Sequence, residues 1–314
     1  MGHRAAGFTL IELSIVLVII GLIVGGVLVG QNLIAAAAVR AQITQIERYN
    51  TAANTFRGKY GYLPGDIPNP QAAQFGFQSR GPYAGQGDGN GQIEGNTTNA
   101  AGGNYGTYPF LGEEAMFWVD LSKVGLIDGT FTTATPTATI TAAISGTAIN
   151  QYFPLSKIGN GAGYVYVWSG GWQEIAAGDP GDGQNYFCVA ATAGTKTTGN
   201  SLDIPLMTPV QAYAIDKKVD DGFPQTGSVM ASDSFQAWSS GGPLLGNPPR
   251  EQSMGAFDPS TGGPVVAGDG VTTPGFNQGI TTTCYDNNNV GGTTETYSVG
   301  NANMVNCVLS FRFQ

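Results

Sequence analysis

The feature that most constrains this chain is an apolar run near its start. From Leu13 to Val29 only Ser14 and glycines interrupt Ile, Val and Leu, and Phe8 to Ile11 extend the run to about 22 residues. That is near the roughly 20 residues a helix needs to cross a bilayer. The run follows a leader, residues 1–7, that carries His3 and Arg4 and ends on Gly7. An ordinary secretory signal has its apolar core before the cleavage site. Here a cut between Gly7 and Phe8 would leave the run on the mature chain. Arg4 predicts the leader on the cytoplasmic side and everything after Gln31 outside. One carboxylate, Glu12, lies within the first turns. Charges in a membrane helix cost roughly 2.5–3.5 kcal/mol at its centre and mark function by default. The plainer reading is that Glu12 reaches the headgroups from near the helix end. An ordinary signal anchor would not need it.

Composition narrows the chemistry. The only histidine of the 314 residues is His3, so a processed chain holds none. Ser-His-Asp and Cys-His nucleophilic sites are excluded, as are His-ligated zinc and iron. Three cysteines, Cys188, Cys284 and Cys307, are too few and scattered for a zinc cluster. A net charge of −9 with thinly spread Lys and Arg argues against nucleic acid as partner. What remains is oxygen chemistry, with no residue pair singled out as catalytic and no enzyme expected. With 48 glycines and only 11% charged residues, the chain reads as loop-rich β material beyond its helix.

Past the membrane the helix is expected to continue to about Tyr60. Val39, Ile43, Ile46, Tyr49, Ala53, Phe56 and Tyr60 recur every three or four residues as one apolar stripe, with Arg40, Gln42, Glu47, Arg48 and Arg57 on other faces. Gly58, Gly61 and Pro64 end it. Residues 62–110 read as loop. Within them Asp88, Asn90, Gln92 and Glu94 put oxygen side chains on alternate residues, the spacing by which calcium loops converge ligands. They are candidate calcium ligands, set against a solvated turn. Asn96-Thr97-Thr98 fits a glycosylation sequon.

A short helix is expected after Glu113 and Glu114, which suit its N-terminal dipole, with Phe117, Leu121 and Val124 inward and Gly125 as stop. Trp118 reads as core. Residues 128–150 read as strand edges or a surface flap. Tyr164 to Trp168, a Ser-Gly-Gly turn and Trp172 to Ile175 read as a hairpin, its aromatic row facing the core rather than a sugar. Tyr186 to Ala191 reads as a strand. Thr208 with Pro209 starts a helix that runs toward Gly222. Asp216, Asp220 and Asp221 near its end are expected to be solvated and paired with Lys217 and Lys218. Residues 239–283 read as long loop, and Cys307 to Gln314 as a half-buried terminal strand.

Gly7-Phe8-Thr-Leu-Ile-Glu12 resembles, without a gap, the leader and helix start of type IV prepilins and type II secretion pseudopilins. That resemblance implies an α+β, pilin-like fold: a long N-terminal helix packed on an antiparallel sheet. It divides the chain into leader 1–7, helix 8–60 with 8–30 in the membrane, and head 61–314. It implies cleavage and N-methylation at Phe8 by prepilin peptidase, and residence in the bacterial inner membrane with the head in the periplasm. Assembly with other pilin-like subunits would follow, through a pairing of Glu12 with the Phe8 amine of a neighbour. Gly21/Gly25 and Gly26/Gly30 allow close helix packing. Val29 departs from the family, many members of which carry proline there. The size of the head fits a minor or accessory subunit, or an adhesin-like binding module. Pilins commonly carry a disulfide near the C-terminus, which Cys284 and Cys307 would supply; pairing of Cys188 with either stays open. Leu63-Pro-Gly-Asp66, Gly87 to Gly91 and Ile215 to Gly222 resemble segments of larger prepilin-type proteins and imply no activity.

Overall fold

The computed structural model describes residues 10–83, 85–95, 110–137, 144, 146–159, 161–169, 184–195, 201–224, 226–232, 257–258, 263–264, 284–286, 296–301 and 305–313. The first element, α1, is one unbroken helix of 51 residues, Leu10–Tyr60, about 75 Å long at 1.5 Å per residue. It stops where a side chain can no longer follow. Gly61 takes a left-handed φ of +82° and its N–H donates to the Arg57 carbonyl at 2.8 Å, closing the last turn.

Among the described residues, only the outer half of α1 has buried side chains. Val39, Ile46, Tyr49, Ala52, Ala53 and Phe56 are buried there, with Ile43 and Tyr60 partly so. Gln42 corrects the sequence reading. It is wholly buried rather than on an outer face, and its Oε1 accepts the Lys157 N–H at 2.8 Å. The helix ties the head to itself with amides as well as with hydrocarbon.

Three further helices follow. α2 is a single turn, Gln71–Gln74, α3 is Gly112–Lys123 and α4 is Pro209–Val219. α4 begins with a reciprocal capping box between Thr208 and Gln211, with Pro209 next. The strands are β1 Gly163–Ser169, β2 Asn185–Thr195, β3 Ser201–Ile204, β4 Val229–Ser232, β5 Phe257–Asp258, β6 Gly263–Pro264, β7 Tyr285–Asp286, β8 Thr296–Tyr297 and β9 Val308–Phe313. The main sheet is antiparallel, in the order β1-β2-β9-β4, with β3 also paired to β2. β5 pairs with β6, and β7 with β8. The architecture is α+β and pilin-like.

β1 takes β2 as its partner, Tyr166 opposite Cys188. Trp172 to Ile175, Asn96 to Thr98 and most of 239–283 lie outside the described residues. The expected strand edges at 128–150 are, where described, irregular chain and a 3-10 helix, Gly146–Gln151. The terminal strand is also more enclosed than its alternation suggests. Every described residue of β9 is buried except Arg312, because β9 lies between β2 and β4 and both its faces are covered. The same holds for β1: Tyr164 and Tyr166 are buried, as are Val165 and Val167 on the opposite face. Tyr164 and Tyr166 are thus core. The side chain of Trp168 is not among the described ones.

The core sits where α1, α3 and the sheet meet. Phe187 of β2 lies 6.2 Å from the Tyr49 ring, 5.9 Å from Phe117 and 6.3 Å from Trp118, and stacks on Phe313 at 4.2 Å. Aromatic pairs of this kind, edge-to-face, tilted or stacked, add roughly 0.5–1.5 kcal/mol each to the burial itself.

Candidate functional site

The inner half of α1 is apolar, and none of its described residues is buried. Its most apolar 18-residue window has a mean hydropathy of 2.9, and none of it is buried. Leu10 to Ile34 includes Leu22 and Ile34 at about seven-tenths exposure. By length and composition this helix can cross a bilayer. An exposed apolar surface of this size is suited to contact with lipid or with other helices. A Cβ on Gly21, Gly25, Gly26 or Gly30 would meet nothing within 4 Å, so these positions leave bare backbone on an open helix surface. Glu12 lies in the first turn and is exposed in the single chain. The nearby Ser14 hydroxyl donates to the Ile11 carbonyl at 2.9 Å, so that polar group needs no outside partner. Gly7 and Phe8 lie outside the described residues.

The second candidate region is the loop from Gly85 to Gly95, set against the start of α3. Here the chain comes so close to its neighbours that only glycine fits. Gly65 has φ +87°, and a Cβ on it would stand 2.4 Å from the Glu113 carbonyl oxygen; Gly87 has φ +94°, and a Cβ there would stand 2.7 Å from the Ile67 carbonyl oxygen. The loop closes around two buried carboxylates. Asp66 accepts N–H bonds from Gly89 (2.6 Å) and Gly91 (2.8 Å). Glu113 accepts from Gly87 (2.8 Å) and Glu94 (3.0 Å). Asn185 of β2 clamps the other side, accepting from Ile93 N–H at 2.8 Å and donating to the Gly91 carbonyl at 2.9 Å.

Of the four residues expected to converge, three do so through side chains. The Asn90 amide donates to Asp88 at 3.2 Å and to Glu94 at 3.3 Å. Gln92 joins through its backbone N–H, which donates to Asn90 Oδ1 at 2.7 Å. Asp66 and Glu113 complete the group. Carboxylate oxygens of Asp66, Asp88 and Glu113 all lie within 4.8 Å of one another. The set is all oxygen, which suits a hard cation such as calcium. Each oxygen already bonded to an N–H keeps a second lone pair.

The electrostatics show what this convergence costs. Burial pushes Asp66 up to about 7, against the two N–H bonds that pull it down, and Asp88 and Glu94 raise it further. Glu94 also rises to about 7, through burial and then the Asp88 charge. Glu113, wholly buried, is held well above the usual carboxylate range by burial and by Asp66, Glu94 and Asp88. Burial raises a neighbouring acid too, but there a cation opposes the shift. Asp120 of α3 pairs with Arg80 at 2.5 Å and accepts the Gly65 N–H at 2.7 Å. That is the one ion pair among the described residues. Glu113 was legible as a helix-dipole residue and Asp66 as part of a turn, but neither as a member of this loop. Only folding brings positions 66, 88–94 and 113 together.

The acids at the end of α4 also differ from expectation. Asp216 is buried, not solvated; it accepts the Tyr297 hydroxyl at 2.7 Å and the Gly222 N–H at 3.1 Å, and burial lifts it to about 6. Lys217 donates to the Tyr213 hydroxyl rather than pairing with an acid. Asp220 accepts from Ser228 and Val229, and Asp221 from Phe223 and Thr226. These carboxylates hold the turn after α4. Tyr297 belongs to β8, and the Ser298 N–H beside it donates to the Cys284 carbonyl at 3.0 Å. A disulfide joins Cys284 to Cys307, the residue before β9, while Cys188 is buried and stands outside that disulfide. The Tyr297–Asp216 bond therefore buttons the disulfide-linked hairpin β7–β8 to α4.

No curated protein and no solved structure matches this chain. Residues 2–28 match the family described as the prokaryotic N-terminal methylation motif. The matched span covers Gly7, Phe8 and Glu12 and most of the exposed apolar half of α1. The chain thus carries, at residues 2–28, the prepilin motif of type IV pilins and pseudopilins.

Proposed function

We propose that this chain is a minor or accessory structural subunit of a type IV pilus or type II secretion pseudopilus, and not an enzyme. Prepilin peptidase cuts it between Gly7 and Phe8 and methylates the new amine. α1 then holds it in the bacterial inner membrane with the head in the periplasm, until it enters a filament by helix packing. The observation that carries this reading is the join of the motif at 2–28 to a helix whose inner half is apolar and, among the described residues, exposed. Glu12 has its role there. The prepilin motif implies that a carboxylate at this position pairs with the Phe8 amine of a neighbouring subunit. Glu12→Ala should leave membrane level and disulfide formation unchanged and remove the protein from sheared filaments. Wild-type incorporation of that variant would end this reading of Glu12.

We also propose that the loop at 88–94 holds calcium, with Asp88, Asn90, Gln92 and Glu94 joined by Asp66 and Glu113. What supports it is the gathering of carboxylates that cannot all ionise together without a cation. Calorimetry of the purified chain with calcium tests it. The expected result is a single site that Asp66→Asn weakens, and absence of heat at millimolar calcium would remove the proposal.

A further inference from the structure

A groove of about 940 Å³ runs beside the outer half of α1. One wall is the exposed helix face of Arg40, Thr44 and Arg48, residues one turn apart. Leu126, Ile127 and Leu155 form the facing wall, with Lys157 beyond them. At the floor lies Gln45, 7% exposed. Its Nε2 donates to the Tyr49 hydroxyl at 2.9 Å and to the Leu155 carbonyl at 2.8 Å, which fixes the amide's orientation. Its Oε1 accepts no hydrogen bond among the described residues.

Charge narrows the occupant. The chain has 13 Lys and Arg against 22 Asp and Glu. Three of those cations, Arg40, Arg48 and Lys157, line this one groove, against two acids, Glu47 and Asp128. None of the three forms an ion pair among the described residues. The groove is thus a basic exception on an acidic chain. Its aromatic floor offers no platform for stacking a sugar, since Phe131 and Phe153 are 5% and 2% exposed. The accessible apolar surface is aliphatic, with Leu155 at 42%. Aliphatic lining beside three cations that form no ion pair among the described residues matches a polypeptide carrying both apolar and acidic side chains. From Arg40 to Thr51 the helix rises about 16 Å, the span of about five extended residues.

We propose that this groove is the docking site for an extended acidic segment of a neighbouring, different protein subunit. The segment's apolar side chains lie against Leu126, Ile127 and Leu155, and its carboxylates meet Arg40, Arg48 and Lys157. The subunit reading above identifies only the neighbour, because the groove's chemistry is testable without a filament.

The test uses the full chain in nanodiscs of zwitterionic lipid, with two labelled probe peptides followed by fluorescence anisotropy. One alternates Glu and Leu over five residues, and the other alternates Lys and Leu. The Glu peptide should bind and the Lys peptide should not, and binding should weaken about tenfold from low to high salt. The double variant Arg48→Glu, Lys157→Glu changes only exposed side chains, so it should fold and lose at least about tenfold in affinity. Equal binding of both peptides, no binding of the Glu peptide, or an unchanged affinity in the double variant would overturn the proposal. Pairing of single-copy nanodiscs that Arg48→Glu abolishes would make the occupant a second copy of this chain, and would also overturn it. A chain that enters filaments yet fails to bind the peptide would sink the groove alone. One that binds it yet never assembles would sink the subunit reading alone.

Discussion

The two halves of α1 share one backbone and answer to different solvents. From Ile15 to Val29 its side chains are apolar on every face and exposed, whereas from Val39 to Phe56 only one stripe is apolar and that stripe is buried. The inner half is spent on a surface outside the molecule. The outer half is spent on the head, through Tyr49 and Phe56 among the aromatic rings and through Gln42 and Gln45 as pins. A helix hydrophobic all round must be surrounded, and an amphipathic one must be flanked.

If that division is right, substitutions in the two halves should separate cleanly. The largest effect on head stability belongs to Phe56→Ala, which empties a fully buried site between Tyr60 and Phe77. It should cost about 3–5 kcal/mol, read by thermal or denaturant unfolding, with membrane insertion unchanged. Next comes pH. In chelator, folded Asp66 and Glu94, raised to about 7, keep protons that their unfolded forms release near pH 4. The folded state then binds more protons, so head stability should fall as pH rises from about 4 through about 7. Calcium, if it binds the loop, should flatten that slope by replacing the protons. A slope of the opposite sign would break this part of the account. The smallest effect belongs to Leu22→Ala, about seven-tenths exposed in the single chain. It should leave the head's unfolding within about 0.5 kcal/mol of wild type, and a larger change would show that the inner half packs on the head after all.

The same contrast explains what could be read from the residues beforehand. The inner half is a local message: an uninterrupted apolar run with Glu12 at its start needs no tertiary information. The stripe from Val39 to Tyr60, the capping of α4 by Thr208 and the stop at Gly61 are local too. Gln42 and Asp216 misled because a polar side chain looks solvated until its partner is known, and those partners, the Lys157 N–H and the Tyr297 hydroxyl, lie 115 and 81 residues away. β9 looked half-buried because alternation reports one covered face, while both of its faces are covered. Asp66 and Glu113 joined the loop at 88–94 by the same long-range route. In each case the missing information was a distant contact.

The central claim is that the motif at residues 2–28 is read by a processing enzyme. Intact-mass and N-terminal analysis tests it most directly, on protein purified from membranes of a bacterium that expresses the chain with a prepilin peptidase. The account predicts a chain that begins at Phe8, with residues 1–7 removed and one methyl group on the Phe8 amine. A chain that still begins at Met1 in the presence of active peptidase would contradict it.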